Sequence, residues 1–258
     1  VGQGHVRARR ETPRMILPSI QKIHDVVDGT WPAAEYMQTG PWLFRRGAGG
    51  GQRVSATTAR GPFTVEDIAT AEAQMKAMGQ PNLFMIREGD ETLDALLAEQ
   101  GYVIHDPVTA YVAPVSIFAE KHPPRICALL AWEPLAIMLD IWAKGGITEG
   151  RIDVMHRAQG PKTGLIGRLN DHPAAAAFCA IHDGVAMVHA LEVLPHQRHQ
   201  SMGKFAMYEL AHWAARNGAS HISLVVTQAN QAGNALYTSL GMTSVGQYHY
   251  RLKKEGQT

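Results

Sequence analysis

The chain predicts a mixed α/β (α+β) fold, a mixed sheet flanked by helices and laid out in two tandem copies. Apolar runs of strand character alternate with amphipathic helical segments along most of its length. A strand over Val185–Val193 passes through a short polar loop into a helix that stops at Gly218. The order strand, helix, glycine, strand, helix, glycine, strand occurs in both halves, with 139 positions from Gly79 to Gly218 and 140 from Gly101 to Gly241. The segment Ala95-Leu96-Leu97-Ala98-Glu99-Gln100-Gly101 parallels Ala235-Leu236-Tyr237-Thr238-Ser239-Leu240-Gly241. An internal repeat accounts for this, and so would two halves that share generic punctuation.

In chain order, residues 16–27 read as an amphipathic helix ending before Trp31-Pro32. Trp42–Arg46 and residues 53–57 read as strands, joined by a hairpin turn at the glycine-rich residues 47–51. No Gly-Lys-Ser/Thr follows those glycines and no helix opens there, so they do not read as a phosphate loop. Thr64 caps a helix with Asp67 three residues on, and that helix stops near Gly79. Residues 82–87 form a strand, residues 92–100 a helix closed by Gly101, and another strand comes after it. Prolines and the Glu120-Lys121 pair place a linker between Pro114 and Pro124, which divides the chain into domains 1–118 and 125–258. In the second half, residues 221–226 are a strand, a helix opens near Asn230, and Tyr248-His249-Tyr250-Arg251 alternates as a closing strand.

Composition narrows the function. The 258 residues carry a net charge of +1, which argues against nucleic acid as a partner. The one basic cluster, Arg7-Ala8-Arg9-Arg10, reads as a solvated terminus. No apolar run is long enough to cross a membrane, and the N-terminus lacks the order of a signal peptide. The two cysteines, Cys127 and Cys179, lie in apolar surroundings without metal or redox spacing and read as buried thiols of a cytoplasmic protein. His196-x-x-His199 has ligand spacing but no evident third ligand, so no metal is expected.

The loop Arg198-His199-Gln200-Ser201-Met202-Gly203 lies where a helix leaves backbone N–H groups without partners and its dipole favours an anion. Read as Arg198-x-x-Ser201-x-Gly203, it resembles the acyl-CoA pyrophosphate loop R/Q-x-x-G-x-G/A of the GNAT superfamily of N-acetyltransferases. Ser201 stands where the family has its first glycine and is expected to keep an ordinary backbone conformation. Downstream, Asn230-Gln231-Ala232-Gly233-Asn234-Ala235-Leu236-Tyr237 through Gly241-Met242 is similar to a second hallmark of that family, N-x-x-A-x-x-L-Y-x-x-x-G-F. The resemblance covers about residues 131–253. It implies a sheet whose two central parallel strands splay to admit acetyl-CoA, and transfer of an acetyl group to an amine acceptor. It also implies that residues 1–118 form a degenerate copy: Leu97 replaces the tyrosine, and Arg60-Gly61-Pro62-Phe63 supplies no anion loop.

By that resemblance, Arg198, His199, Gln200, Ser201, Met202, Gly203 and Lys204 bind the pyrophosphate. The backbone around Leu191 and Val193 receives the thioester, and Asn230 holds the pantetheine arm while capping its helix. Tyr237 matches the residue that protonates the departing thiolate, or else packs the cleft wall. For the base there are two candidates, His189 and Glu192, which strand alternation sends to opposite faces unless a bulge intervenes. His189 shares its face with Met187, Leu191 and Val193 and reads equally as a core histidine. Glu192 reads also as a cation-binding carboxylate or as one paired to hold the loop. The acceptor is expected to be a small amine or amino acid. A peptide or protein amine, and a non-catalytic acyl-CoA sensor or assembly module, are the alternatives.

Overall fold

The computed structural model describes residues 16–253. The Arg7–Arg10 cluster therefore lies outside the described residues. Helix α1, Ile20–Thr30, is capped by Ser19, whose hydroxyl accepts from the Lys22 amide, and it buries Ile20, Ile23, Val26 and Val27. Strands β1 (Glu35–Thr39), β2 (Trp42–Arg46) and β3 (Thr58–Ala59) form a small antiparallel sheet. The expected strand at residues 53–57 is not there: Gln52–Val54 is a 3-10 turn, and pairing with β2 resumes only at Thr58. Gly51 explains the difference. Its φ of 91° and ψ of −178° are open essentially to glycine alone, so the glycine run turns the chain aside as a loop instead of closing a tight hairpin.

Helix α2 (Val65–Ala77), with a capping box between Thr64 and Asp67, leads to β4 (Leu83–Ile86), α3 (Glu91–Glu99) and the long β5 (Val103–Pro114). The second half runs β6 (Ala128–Ala131), α4 (Ala136–Lys144), α5 (Glu149–Arg157), β7 (Lys162–Leu169), β8 (His172–His182), β9 (Val185–Val193), α6 (Met202–Arg216), β10 (His221–Thr227), α7 (Gln231–Ser239) and β11 (Thr243–Leu252).

These strands make one eight-stranded mixed sheet in the order β4-β11-β5-β10-β9-β8-β7-β6. Its centre is covered on both faces, and β8 shows why the sequence permits that. Ala174, Ala175, Ala176 and Ala177 are all fully buried, small enough for helices to approach from either side. One face packs on α6 through Ala206, Met207, Leu210 and Ala211. The other packs on α4 and α5 through Met138, Ile141, Trp142 and Val154. Only β9 and β10 of the central strands run parallel, and their ladder spans just Val185–Val188 against His221–Leu224.

The two sequence halves interleave. Strand β5 lies between β10 and β11, pairing antiparallel with both, while β11 lies between β5 and β4. Removing residues 1–118 would expose the facing edges of β10 and β11 together with the apolar surface that Val108, Ala110 and Val112 cover. The fragment 125–258 alone is therefore expected to aggregate or to show no cooperative thermal transition by circular dichroism, where the whole chain unfolds cooperatively. A monomeric fragment with a sharp transition would show that β5 is dispensable.

Candidate functional site

Strand β9 carries the central feature. Opposite β8, Phe178 pairs with His189 and Ala176 with Glu192, so two residues of β9 face the single Ala177. This is a bulge, and Ala190 within it adopts φ 51°. Trp142 of α4 fixes it by donating from Nε1 to the Ala190 carbonyl at 2.8 Å. The bulge removes the expected opposition of His189 and Glu192. Both now lie on the α4 face, whereas Leu191 and Val193 turn to the α6 face and join its apolar cluster. Beyond Val188 the β9 backbone has no ladder to β10, so the strands part there and backbone groups become available in the gap.

His189 is buried and held at both nitrogens. Arg53 Nη1 can only donate, so Nδ1 accepts from it at 3.1 Å, and Nε2–H donates to Thr30 Oγ1 at 2.9 Å. The Thr30 hydroxyl passes its own proton to the Val26 carbonyl. Trp31 lies over the ring at 4.8 Å between centroids. Burial and the neighbouring Arg53 charge hold the His189 pKa well below the ordinary imidazole value. The ring is neutral and has no free lone pair with which to take a proton.

Glu192 serves a different cavity, of about 280 Å³, with Lys144, Gly145 and Arg198. Arg198 folds back over β9, donating through Nε to the Val193 carbonyl at 3.1 Å and through Nη2 to Glu192 at 3.2 Å. Gly145 makes room for this, because a Cβ there would come within 2.6 Å of the Glu192 side chain.

The loop after β9 ends in two strained residues, His199 at φ 60° and Ser201 at φ 63°, ψ 10°. Ser201 thus departs from the ordinary conformation expected of it. It takes the left-handed geometry that glycine reaches freely, at a cost of about 1–2 kcal/mol. That geometry starts α6 abruptly, with no side-chain cap on its first amides. Met202 is buried, while Gln200, Gly203 and Lys204 surround the open helix end, where Gly203 lies 3.0 Å (from its Cβ position) from Leu236 of α7.

Asn230 caps α7, accepting from the Gly233 amide at 2.9 Å, and lines the gap. Tyr237, about two turns further along α7, is buried with its ring 5.9 Å from Tyr111 of β5. Burial raises its pKa to about 12, so the hydroxyl stays protonated at any working pH.

Where β9 and β10 part, a cavity of about 310 Å³ opens on the side of the first half. Its walls bring together Trp31, Gly51, Gln52 and Arg53 with Asp106, Arg151, His189 and Tyr250. Apart from His189 and Asn230, the candidates drawn from the sequence do not line it. Arg53, Asp106 and Arg151 were invisible in the sequence because they sit on three separate segments with no motif; only the glycine run beside Arg53 marked the place.

His189 and His24 give a pH test of stability. Burial, with Arg87 second, lowers the His24 pKa to about 3, and both rings are neutral when folded. The unfolded chain protonates them near pH 6.5 and the folded chain does not, so stability must fall as pH drops below about 6.5, by up to about 1.4 kcal/mol per pH unit for each ring. Urea titrations from pH 7.5 to 4.5 should show that slope, and it should flatten in His24→Gln. An unchanged slope would place the acid sensitivity elsewhere.

Residues 132–242 match the acetyltransferase (GNAT) family. The uncharacterized N-acetyltransferase YobR of Bacillus subtilis (strain 168) is 26% identical over 251 residues, which are 92% of this chain and 100% of that protein. Among solved structures, a GCN5-related N-acetyltransferase from Kribbella flavida superposes with a TM-score of 0.65 at 18% identity, covering 91% of this chain and 95% of that one. A tandem GNAT protein from the clavulanic acid biosynthesis pathway does so with a TM-score of 0.55 at 13% identity, over 74% and 69%. The parted parallel strands and the uncapped helix beyond them are thus those of a known fold, and the match of residues 132–242 to the GNAT family, with the likeness of the whole chain to an N-acetyltransferase, supports an acyl-CoA-dependent N-acetyltransferase.

Proposed function

We propose that the protein moves an acetyl group from acetyl-CoA to a small primary amine or amino acid, by direct attack in a ternary complex. The parting of β9 from β10 at Val188 and Leu224 carries this reading, because it opens the sheet between an uncapped helix end and a cavity lined by both halves. The pyrophosphate docks on the amides at the start of α6, from Ser201 to Lys204, with Arg198, His199 and Gln200 around it. The pantetheine arm runs between the β9 backbone at Leu191 and Val193 and the α7 cap at Asn230, and free β9 amides polarise the thioester carbonyl.

Tyr237 supplies the proton to the leaving thiolate. Burial keeps its hydroxyl protonated until the thiolate forms, and Tyr111 lies against its ring. His189 serves as a wall of the acceptor cavity, since both of its nitrogens are engaged. Glu192 acts on the pyrophosphate side by holding Arg198. The amine therefore enters neutral, or sheds its proton through water toward Asp106, the one carboxylate lining the cavity among the described residues. The cavity lies at the small end of the roughly 300–1,000 Å³ range for small-molecule sites, which favours a small acceptor over a peptide.

The two halves, 1–118 and 125–258, are in this reading tandem copies of one fold. The first has lost its anion loop and tyrosine and now shapes the acceptor side. The order β3-α2-β4-α3-β5 matches β9-α6-β10-α7-β11, and a parallel bridge from Thr57 to Phe84 stands where β9 meets β10. The buried thiols Cys127 and Cys179 suit a reducing cytoplasm.

Two substitutions test the roles. Arg198→Ala removes a charge-assisted anion contact and leaves Glu192 unpaired beside the phosphates, so acetyl-CoA affinity by calorimetry should fall by about 1–2 kcal/mol. Unchanged affinity would move the pyrophosphate elsewhere. Tyr237→Phe should lower turnover by about ten- to a thousandfold at nearly constant acetyl-CoA affinity. Turnover within about twofold of the parent, with chemistry rate-limiting, would mean the thiolate leaves through water. Binding of acetyl-CoA without thiol release for any amine would identify a sensor instead of an enzyme.

A further inference from the structure

The acceptor cavity has an unbalanced charge. Arg53 and Arg151 both line it, and neither belongs to any ion pair among the described residues, whereas the neighbouring Arg45 and Arg87 share Asp28. The single lining carboxylate, Asp106, already accepts from Gln52 Nε2 at 3.0 Å. The two guanidinium groups are close enough that Arg53, after burial, adds to the lowering of the Arg151 pKa. Unpaired like charges side by side in a partly desolvated wall are costly, and an anion placed between them relieves the cost.

Both groups are also held in place. Arg53 is anchored from behind by His189 and lies 5.9 Å from the centroid of the Trp31 ring, and its buried Nε has no hydrogen-bond partner. Arg151 reaches across from α5 to Gly51, whose missing Cβ would stand 3.2 Å from Nε and Nη2. The glycine that deflects the β2–β3 connection thus also leaves room for the second guanidinium.

We infer that the acceptor is an amine that also bears a carboxylate, as in an α-amino acid, and that Arg53 and Arg151 hold that carboxylate while the amine points into the gap between β9 and β10. This rests on the transferase reading above and narrows its substrate class. Planar, multidentate donors suit a carboxylate, and the same pair repels a second ammonium, so polyamines are excluded.

The test follows free thiol at saturating acetyl-CoA with common α-amino acids, their amides, the corresponding decarboxylated amines, and spermidine. At least one amino acid should exceed its amide and its decarboxylated amine by about tenfold or more in kcat/KM, mostly through KM, and spermidine should be inert. In Arg151→Gln that preference should shrink to within about threefold, and Arg151→Lys should retain part of it, while acetyl-CoA affinity stays within about twofold of the parent in both. Amide and acid used equally, a preference that survives Arg151→Gln, or a loss of acetyl-CoA affinity in that variant would overturn the inference. Should no amine release thiol, thermal shift decides. An amino acid that raises the Tm of the parent but not of Arg151→Gln upholds the carboxylate site and sinks the transferase reading, and no shift sinks both.

Discussion

A single indole hydrogen bond holds the point on which the functional half depends. Trp142 donates to the carbonyl of Ala190 and so stabilises a backbone turn that an alanine adopts at some cost. The bulge it braces follows directly on the end of the β10 ladder at Val188 and puts Glu192 on the α4 side, where it pairs with Arg198. The inserted residue turns Leu191 and Val193 into the α6 core, while His189 just before it stays on the wall of the cavity. Fully buried Trp142 is well suited to this, since its large apolar body fixes the position of its one donor.

The interleaving of β5 and β11 makes the two halves physically dependent. Tyr111 of β5 lies against the ring of Tyr237 and hydrogen-bonds Asn234 of α7, so the first half positions a residue proposed for the second half's chemistry. In the cavity beside β9 the same dependence recurs. Arg53 comes from one half and Arg151 from the other, and Gly51 lets them meet.

Charge is handled differently around Asp28 and around the cavity beside β9. Beneath the small sheet, burial works to raise the Asp28 pKa, and Arg45 and Arg87 overcome it and hold the carboxylate ionised. In that triad both arginines are paired, sharing one carboxylate. Around the cavity beside β9 neither Arg53 nor Arg151 is ion-paired among the described residues, and a neutral histidine serves as the hydrogen-bond acceptor for one of them. The contrast separates a packing device from a binding surface.

Much of the fold was legible in the sequence because it rests on local rules. Glycines ended α2, α3, α6 and α7, Thr64 with Asp67 opened α2, and the loop at Arg198 with the stretch from Asn230 to Tyr237 carried the family likeness. What the sequence could not supply were features set by partners far away along the chain. The left-handed Ser201, the 3-10 turn at Gln52–Val54 and the bulge at Ala190 are backbone states that no side-chain pattern announces. Each is stabilised or tolerated through tertiary packing, and each reverses or redirects a local expectation. Period-two alternation placed His189 and Glu192 on opposite faces, and one inserted residue put them on the same face. The cavity beside β9 lay further still from any sequence signal, since Arg53, Asp106 and Arg151 become neighbours only when the sheet assembles from both halves. Local chemistry fixes where helices and strands begin and end; which charges face one another is decided by the order in which those strands pair.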